Sequence, residues 1–322
     1  MTNVSSDFNE MQSELKAALE LLEKSSNSQA LKIFEGSDDN EIDSPDSLLD
    51  RCNEVVESSQ GKKVLRSLHH FACSGGSLIS KCIDCMPSVR LLSELHPLAK
   101  KHLDTKSHKF TPSDVISCAH YANVSDIERL ANNIMLNSVN LALEHASNRG
   151  EILVFREHTH TDFCVGDTEM ALRFFQSFDK SVFVNLSVVT VRNPIDSYLS
   201  LRKNGWVHFS PDTFNEYCKR LNHFLSGFSD ESVYFYEKFV ENPCPTMKGI
   251  CQALDIPYSD SFIDIFGART ITGDSGRGGS EIKFRPRREL SSEIKFEVEN
   301  SEEFSVFLER FDFYKGCMEN LK

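Results

Sequence analysis

Apolar residues follow two alternating rhythms from about residue 62 onward. Short aliphatic runs stand at 64–71, Val89–Leu95, 152–155 and 182–191. They predict strands, and their near-continuous apolar character fits burial on both faces. A shorter run at 232–236 predicts a fifth strand. Between these runs, apolar positions recur three and four residues apart. Leu78, Ile79, Cys82, Ile83 and Met86 form one such stripe, stopped by Pro87. A long helix is predicted from Ser125 through Ile127, Leu130, Ile134 and Leu141 to a stop at Gly150. Pro194 opens another helix, Ser210-Pro211 reads as the cap of the next, and helices follow over 244–254 and near 302–317. Residues 98–124 are polar and read as irregular. Strands alternating with helices predict an α/β fold, a parallel sheet with helices on both faces. In such sheets ligands bind beyond the carboxyl ends of the strands.

Residues 1–60 have a different pattern. Phe8, Met11, Leu15, Leu19 and Leu22 make one helical stripe, and Leu48, Leu49, Cys52, Val55 and Val56 another. This predicts an N-terminal helical segment beside a main domain over 61–322. The segment serves either as a docking surface for a protein partner or as helices packed on the main domain. Net charge is −13, which argues against a general nucleic-acid binder, since such a protein carries a basic face. An anionic small ligand is still compatible, because a few arginines in a cleft dominate the local field. The ten cysteines show no framework spacing, and Cys82-x-x-Cys85 has no second pair to complete a zinc site. Reduced thiols and a cytoplasmic location are expected. No membrane span or signal peptide is read from the apolar runs.

Candidate chemistry gathers where predicted strands end. After the first strand, Cys73-Ser74-Gly75-Gly76-Ser77 joins strand to helix. Paired glycines allow positive φ, so that backbone N–H groups converge on one anion, and the helix start adds its positive dipole end. Ser74 and Ser77 add hydroxyl donors. The plain alternative is a βα turn with glycines for packing. The second strand ends at Glu94. The third delivers Arg156-Glu157-His158-Thr159-His160, where an extended chain puts Arg156, His158 and His160 on one face. The fourth delivers Arg192-Asn193-Pro194-Ile195-Asp196, with Ser200 almost two turns into the following helix, and the fifth ends at Tyr236-Glu237. Arg192 is either an anion ligand or a partner for Asp196.

Three of these motifs, in order, resemble those of sulfotransferases that use 3′-phosphoadenosine 5′-phosphosulfate (PAPS) as donor. Cys73-Ser74-Gly75-Gly76-Ser77 resembles the family's 5′-phosphosulfate loop, Arg192-Asn193-Pro194-x-Asp196-x-x-x-Ser200 its 3′-phosphate motif, and Tyr236-Glu237 its adenine-side pair. The Gly276-Arg277-Gly278 loop stands where the family has a late basic loop. The resemblance covers roughly residues 62–318 and implies a three-layer, P-loop-like α/β fold. It implies donor binding by Ser74, Gly75, Gly76, Ser77, Arg192, Ser200, Tyr236 and Arg277, with no metal. Arg156-x-His158 is similar to the family's Lys-Thr-His, which implies His158 as base and Arg156 as an electrostatic clamp. Pro87-Ser88-Val89-Arg90…Ser93-Glu94 resembles the segment of other family members that carries a catalytic glutamate, so Glu94 is the rival base. Cys73 stands where the family's loop has lysine or arginine. Arg156, Arg66 and His70 are the candidates to supply the charge that a thiol lacks.

The acceptor implied is a hydroxyl-bearing molecule, a glycan or a small molecule, in a polar cleft containing Trp206. Two other classes stay open. His158-x-His160-x-Asp162 starts a metallo-hydrolase pattern, although Phe163 occupies the next ligand position. A phosphate-handling enzyme or a catalytically weak nucleotide-binding module could also use the Ser-Gly-Gly-Ser loop, but Gly-x-x-x-x-Gly-Lys-[Ser/Thr] is absent.

Overall fold

The structure, a computed structural model, describes Ser13, Lys16 and residues 62–99, 114–273 and 281–317. The expected N-terminal helices, their docking role and Arg277 lie outside the described residues. The chain divides into two units, Met1–Lys62 and Lys63–Lys322. The second unit contains the sheet.

In chain order its elements are β1 (Lys63–His70), α1 (Gly76–Ile83), β2 (Val89–Leu95), α2 (Val115–Tyr121), α3 (Ile127–Ser147), β3 (Ile152–Glu157), α4 (Thr159–Phe163), β4 (Phe183–Val191), α5 (Pro194–Asn204), α6 (Phe214–Leu225), β5 (Val233–Phe235), α7 (Tyr236–Glu241), α8 (Pro243–Ala253), α9 (Phe262–Ile265), α10 (Ser292–Glu299) and α11 (Glu302–Arg310). The five strands form one sheet in the order β2-β3-β1-β4-β5, parallel throughout. The α/β expectation therefore holds. Neighbours out of chain order require crossovers, and the helices that make them cover both faces.

Strand alternation sorts the core. Leu68 of β1 and Val188 of β4 pack with Ile79, Phe239 and Ile250 on one side. Leu65, Phe155 and Phe175 pack on the other. A third cluster lies around Phe71, Val189, Val191, Tyr217 and Phe307, where α5, α6 and α11 meet the sheet. Each fully buried phenylalanine contributes about 1.5–3 kcal/mol over leaving it in water. Among the described residues no helix is long and apolar enough to cross a membrane.

Several elements depart from the pattern. Part of the stretch expected to be irregular is α2, capped by the Asp114 carboxylate, which accepts from the Ser117 N–H. The predicted extended face of Arg156, His158 and His160 breaks at His158, because α4 begins at the next residue. The Thr159 hydroxyl donates to the carbonyl of His70 and turns the chain there. Ser210-Pro211 does not cap α6. Thr213 does, with its side chain accepting from Glu216 N–H, while the Glu216 carboxylate accepts from Arg220. The closing helix ends at Arg310 and continues as a 3₁₀ stretch, Asp312–Cys317, and α10 has no counterpart in the sequence expectation.

Candidate active site

The ends of β1, β3 and β4, the start of α7 and the segment after residue 280 share one cavity of about 770 Å³. Its floor begins at the glycine loop. Gly75 takes φ +87° and stands at the N-cap position of α1. A side chain there would collide with the Tyr236 ring, and one at Gly76 with the His70 ring. Only glycine lets the loop approach these rings so closely. Ser77 lies in the first turn of α1, lines the cavity, and donates to the Gly273 carbonyl at 3.2 Å. Ser74 is different. It is buried, and its hydroxyl donates to the Phe71 carbonyl at 2.8 Å, so it builds the turn.

Arg192 follows β4. Its Nη1 donates to the Cys73 carbonyl at 3.3 Å, and its guanidinium stands 5.2 Å over the Tyr236 ring. The ion pair with Asp196 does not form; Asp196 pairs instead with Arg287 at 3.0 Å. The next residue, Asn193, caps α5 by accepting from Ile195 N–H, with Pro194 at the first helical position. That cap aims Ser200 into the cavity wall beside Asn204. Glu237 holds this corner by accepting from Asn193 N–H at 3.0 Å and from the Tyr314 hydroxyl at 2.6 Å.

Glu94, Arg156 and His158 also meet at the cavity. Arg156 is 4% exposed and donates to Glu94 Oε1 at 2.9 Å, to Ser93 Oγ at 3.0 Å and to His70 Nε2 at 2.8 Å. His158 Nε2 lies 3.3 Å from Glu94 Oε2, and its Nδ1 is 2.7 Å from Thr161 Oγ1. Since a carboxylate only accepts, Nε2 carries the proton toward Glu94. Glu94 reaches both partners from a left-handed backbone, φ +63°, at a bulge where the β2–β3 register shifts between Leu92 and Leu95. Burial pushes its carboxyl above the usual glutamate range, and the Arg156 charge opposes the rise.

The remaining candidates scatter. Asp162 bonds His96 at 2.9 Å, while His160 turns to His208 at 2.9 Å, so the metallo-hydrolase residues face different partners. Among the described residues no group of three or more His, Cys, Asp or Glu could hold a metal ion. Arg66 bonds the Leu254 carbonyl at 2.7 Å and Asp255, and is not among the residues around the cavity. His70, a candidate to replace the loop's missing charge, lines the cavity, but burial holds its ring well below its usual pKa. Lys81, Arg285 and Arg288 also line it and carry chemistry that the motifs did not single out. Lys81 could have been found as the residue one helical turn after Ser77 on the same face. Arg285-Pro286-Arg287-Arg288 is a basic run with a proline that prevents helix, and Arg288 is tied down by a bond to the Leu199 carbonyl at 3.3 Å.

No family model matches the chain, and no curated protein matches it. Solved structures do. The chain is similar to the sulfotransferase domain from the curacin biosynthetic pathway, at 13% identity and TM-score 0.44, over 78% of this chain and 99% of that one. It is similar to mouse sulfotransferase SULT7A1 complexed with PAP, at 13% identity and TM-score 0.41, over 81% and 89%. The sulfotransferase domain of the Synechococcus PCC 7002 olefin synthase is also similar, at 13% identity and TM-score 0.38, over 63% and 78%.

Proposed function

We propose that this chain is a sulfotransferase that moves a sulfuryl group from PAPS to an acceptor hydroxyl. The observation that carries the reading is one cavity of about 770 Å³ whose wall holds both the Gly75–Gly76 turn and Arg192, with Arg192 bonded to that turn's own Cys73 carbonyl. Anion-binding groups gathered along one wall suit a nucleotide that carries more than one charged group. The N–H groups at the start of α1 have no partners within the helix and suit the 5′ end. Arg192 and Ser200 suit the 3′-phosphate, because a planar guanidinium bonds two phosphate oxygens at once. Tyr236 lies between them for the base.

In the reaction the acceptor oxygen attacks sulfur, the bond from sulfur to the bridging oxygen breaks, and the electron pair leaves on the 5′-phosphate. The hydroxyl proton goes to a base. Glu94 suits that role, because burial raises its carboxyl above the usual glutamate range, which strengthens it as a base. His158 then orients the carboxylate, and Arg156 holds it from the other side. The products are a sulfate ester and 3′,5′-adenosine bisphosphate. The acceptor is read as a glycan or a small molecule, on the support of Trp206, half exposed at the cavity wall near His208.

Calorimetric titration with 3′,5′-adenosine bisphosphate tests the reading. Wild type binds, and Arg192→Ala binds more weakly by about 1.5–3 kcal/mol, the range for losing a charge-assisted bond. Unchanged affinity in the variant, or no binding by wild type, removes the proposal.

A further inference from the structure

Two residues from late in the chain, Thr272 and Gly273, line the cavity beside Glu94. Thr272 makes a reciprocal pair with Ser93, the neighbour of Glu94. The Thr272 hydroxyl donates to the Ser93 carbonyl at 2.8 Å, and the Ser93 hydroxyl donates to the Thr272 carbonyl at 3.0 Å. The same Ser93 oxygen accepts from Arg156 at 3.0 Å, which a hydroxyl can do while it donates. Gly273 takes φ +69° and packs against Glu94 itself: a Cβ at residue 273 would collide with the carboxyl. Its carbonyl accepts from the Ser77 hydroxyl at 3.2 Å. The two residues therefore touch β2 on one side and the first turn of α1 on the other. The sheet does not make that link directly. β3 lies between β2 and β1, so the two strand ends stand two strand spacings apart, roughly 10 Å.

We propose that Thr272 and Gly273 are positioning residues that tie Glu94 to the start of α1 and so fix the base relative to the 5′ end of the donor. The role rests on the proposed reaction, in which Glu94 takes the hydroxyl proton. Glu94 needs such a restraint. Its backbone is left-handed at a bulge, a conformation that persists only where neighbours impose it. Arg156 and His158 are the charged or titratable groups bonded to its carboxylate, and they hold the end of the side chain. The Ser93–Thr272 pair holds the peptide that leads into it, and Gly273 backs the carboxyl. In-line transfer demands this accuracy, because an error of about 1 Å in placing a reacting group costs up to about a hundredfold in rate. Glycine at 273 permits the close approach, and a hydroxyl at 272 completes the pair.

Glu94 itself reports on the tie, so no acceptor is needed. Wild type, Thr272→Val, Thr272→Ser and Gly273→Ala are prepared with isotope-labelled glutamate carboxyls and titrated by NMR, the Glu94 resonance being assigned by its loss in Glu94→Gln. The same proteins are titrated with 3′,5′-adenosine bisphosphate by calorimetry. Thr272→Val should let water reach the carboxyl. Burial is the larger influence on that group and the Arg156 charge the smaller, so its midpoint should fall by about 0.5 or more toward an ordinary glutamate. Thr272→Ser keeps the hydroxyl and should titrate like wild type. Gly273→Ala should move the resonance even where the carboxyl is fully ionised. Bisphosphate affinity should change less than about twofold in both Thr272 variants. A midpoint that does not fall in Thr272→Val, an equal fall in Thr272→Ser, or an unmoved resonance in Gly273→Ala overturns the proposal. So does a larger loss of affinity in Thr272→Val, which would make the segment a prop for the donor turn. Wild type that binds no bisphosphate overturns the use of PAPS instead, with the Glu94 titration still readable.

Discussion

Glu94 combines two costs at one position. A left-handed backbone on a non-glycine residue costs on the order of 1–3 kcal/mol, and its carboxyl is desolvated as well. Both costs persist because Arg156 and His158 hold the side chain in place. The sign of the pH effect follows. A carboxyl with a raised folded pKa favours folding most below the ordinary glutamate range, and that contribution is lost as pH rises through the raised value. Catalysis needs the opposite form, the ionised base. The rate of the chemical step should therefore fall on the acid side with a midpoint above an ordinary glutamate. Glu94→Gln should lower that rate by about a hundredfold or more, the range for losing a general base, and abolish the acid limb. A single-turnover pH profile decides the matter. If His158→Ala abolishes the limb and Glu94→Gln leaves it, the base is His158.

At the scale of elements, the β1–α1 turn depends on residues that allow unusual backbone. Cys73 at φ +65° and Gly75 at φ +87° are both left-handed. Gly75→Ala should strain the turn and push the Tyr236 ring off it. Adenosine bisphosphate binding should drop at least tenfold, about 1.4 kcal/mol, while the melting temperature moves by only a few degrees. Intact binding in that variant would show that the ring can move freely. The strands carried strong signals in the sequence. β2 was legible as a short, mostly aliphatic run bounded by Pro87 and Pro97, and the cap Asn193-Pro194 marks its helix clearly. What was not legible depends on distant partners. No glycine or proline announces the bulge at Glu94. The helix that begins right after His158 is started by Thr159 reaching a carbonyl 89 residues away. At α6 the proline beside Ser210 drew the reading away from Thr213, whose side chain caps the helix by accepting from Glu216 N–H. The site was legible as strand-end residues, but not that Arg156 would spend its donors on His70, Ser93 and Glu94.

Across the whole molecule, the corner that carries Arg192 is closed by a residue far along the chain. Tyr314 donates to Glu237, lies 3.3 Å from the Val191 carbonyl, and packs in the same core cluster as Phe71 and Val191. Burial pushes the Glu237 carboxyl up, and the Tyr314 bond is the largest effect opposing it. Tyr314→Phe leaves a buried carboxylate short of a donor. It should cost about 1–3 kcal/mol in denaturant unfolding and weaken adenosine bisphosphate binding, although Tyr314 does not line the cavity. Lost stability with unchanged affinity would mean that the corner tolerates a looser Glu237. Residue 314 follows Glu237 by 77 positions. During translation Arg192 and Glu237 leave the ribosome well before the hydroxyl that bonds Glu237. Until that tyrosine has emerged, a nascent chain lacks this donor, so the corner around Arg192 is completed late in synthesis.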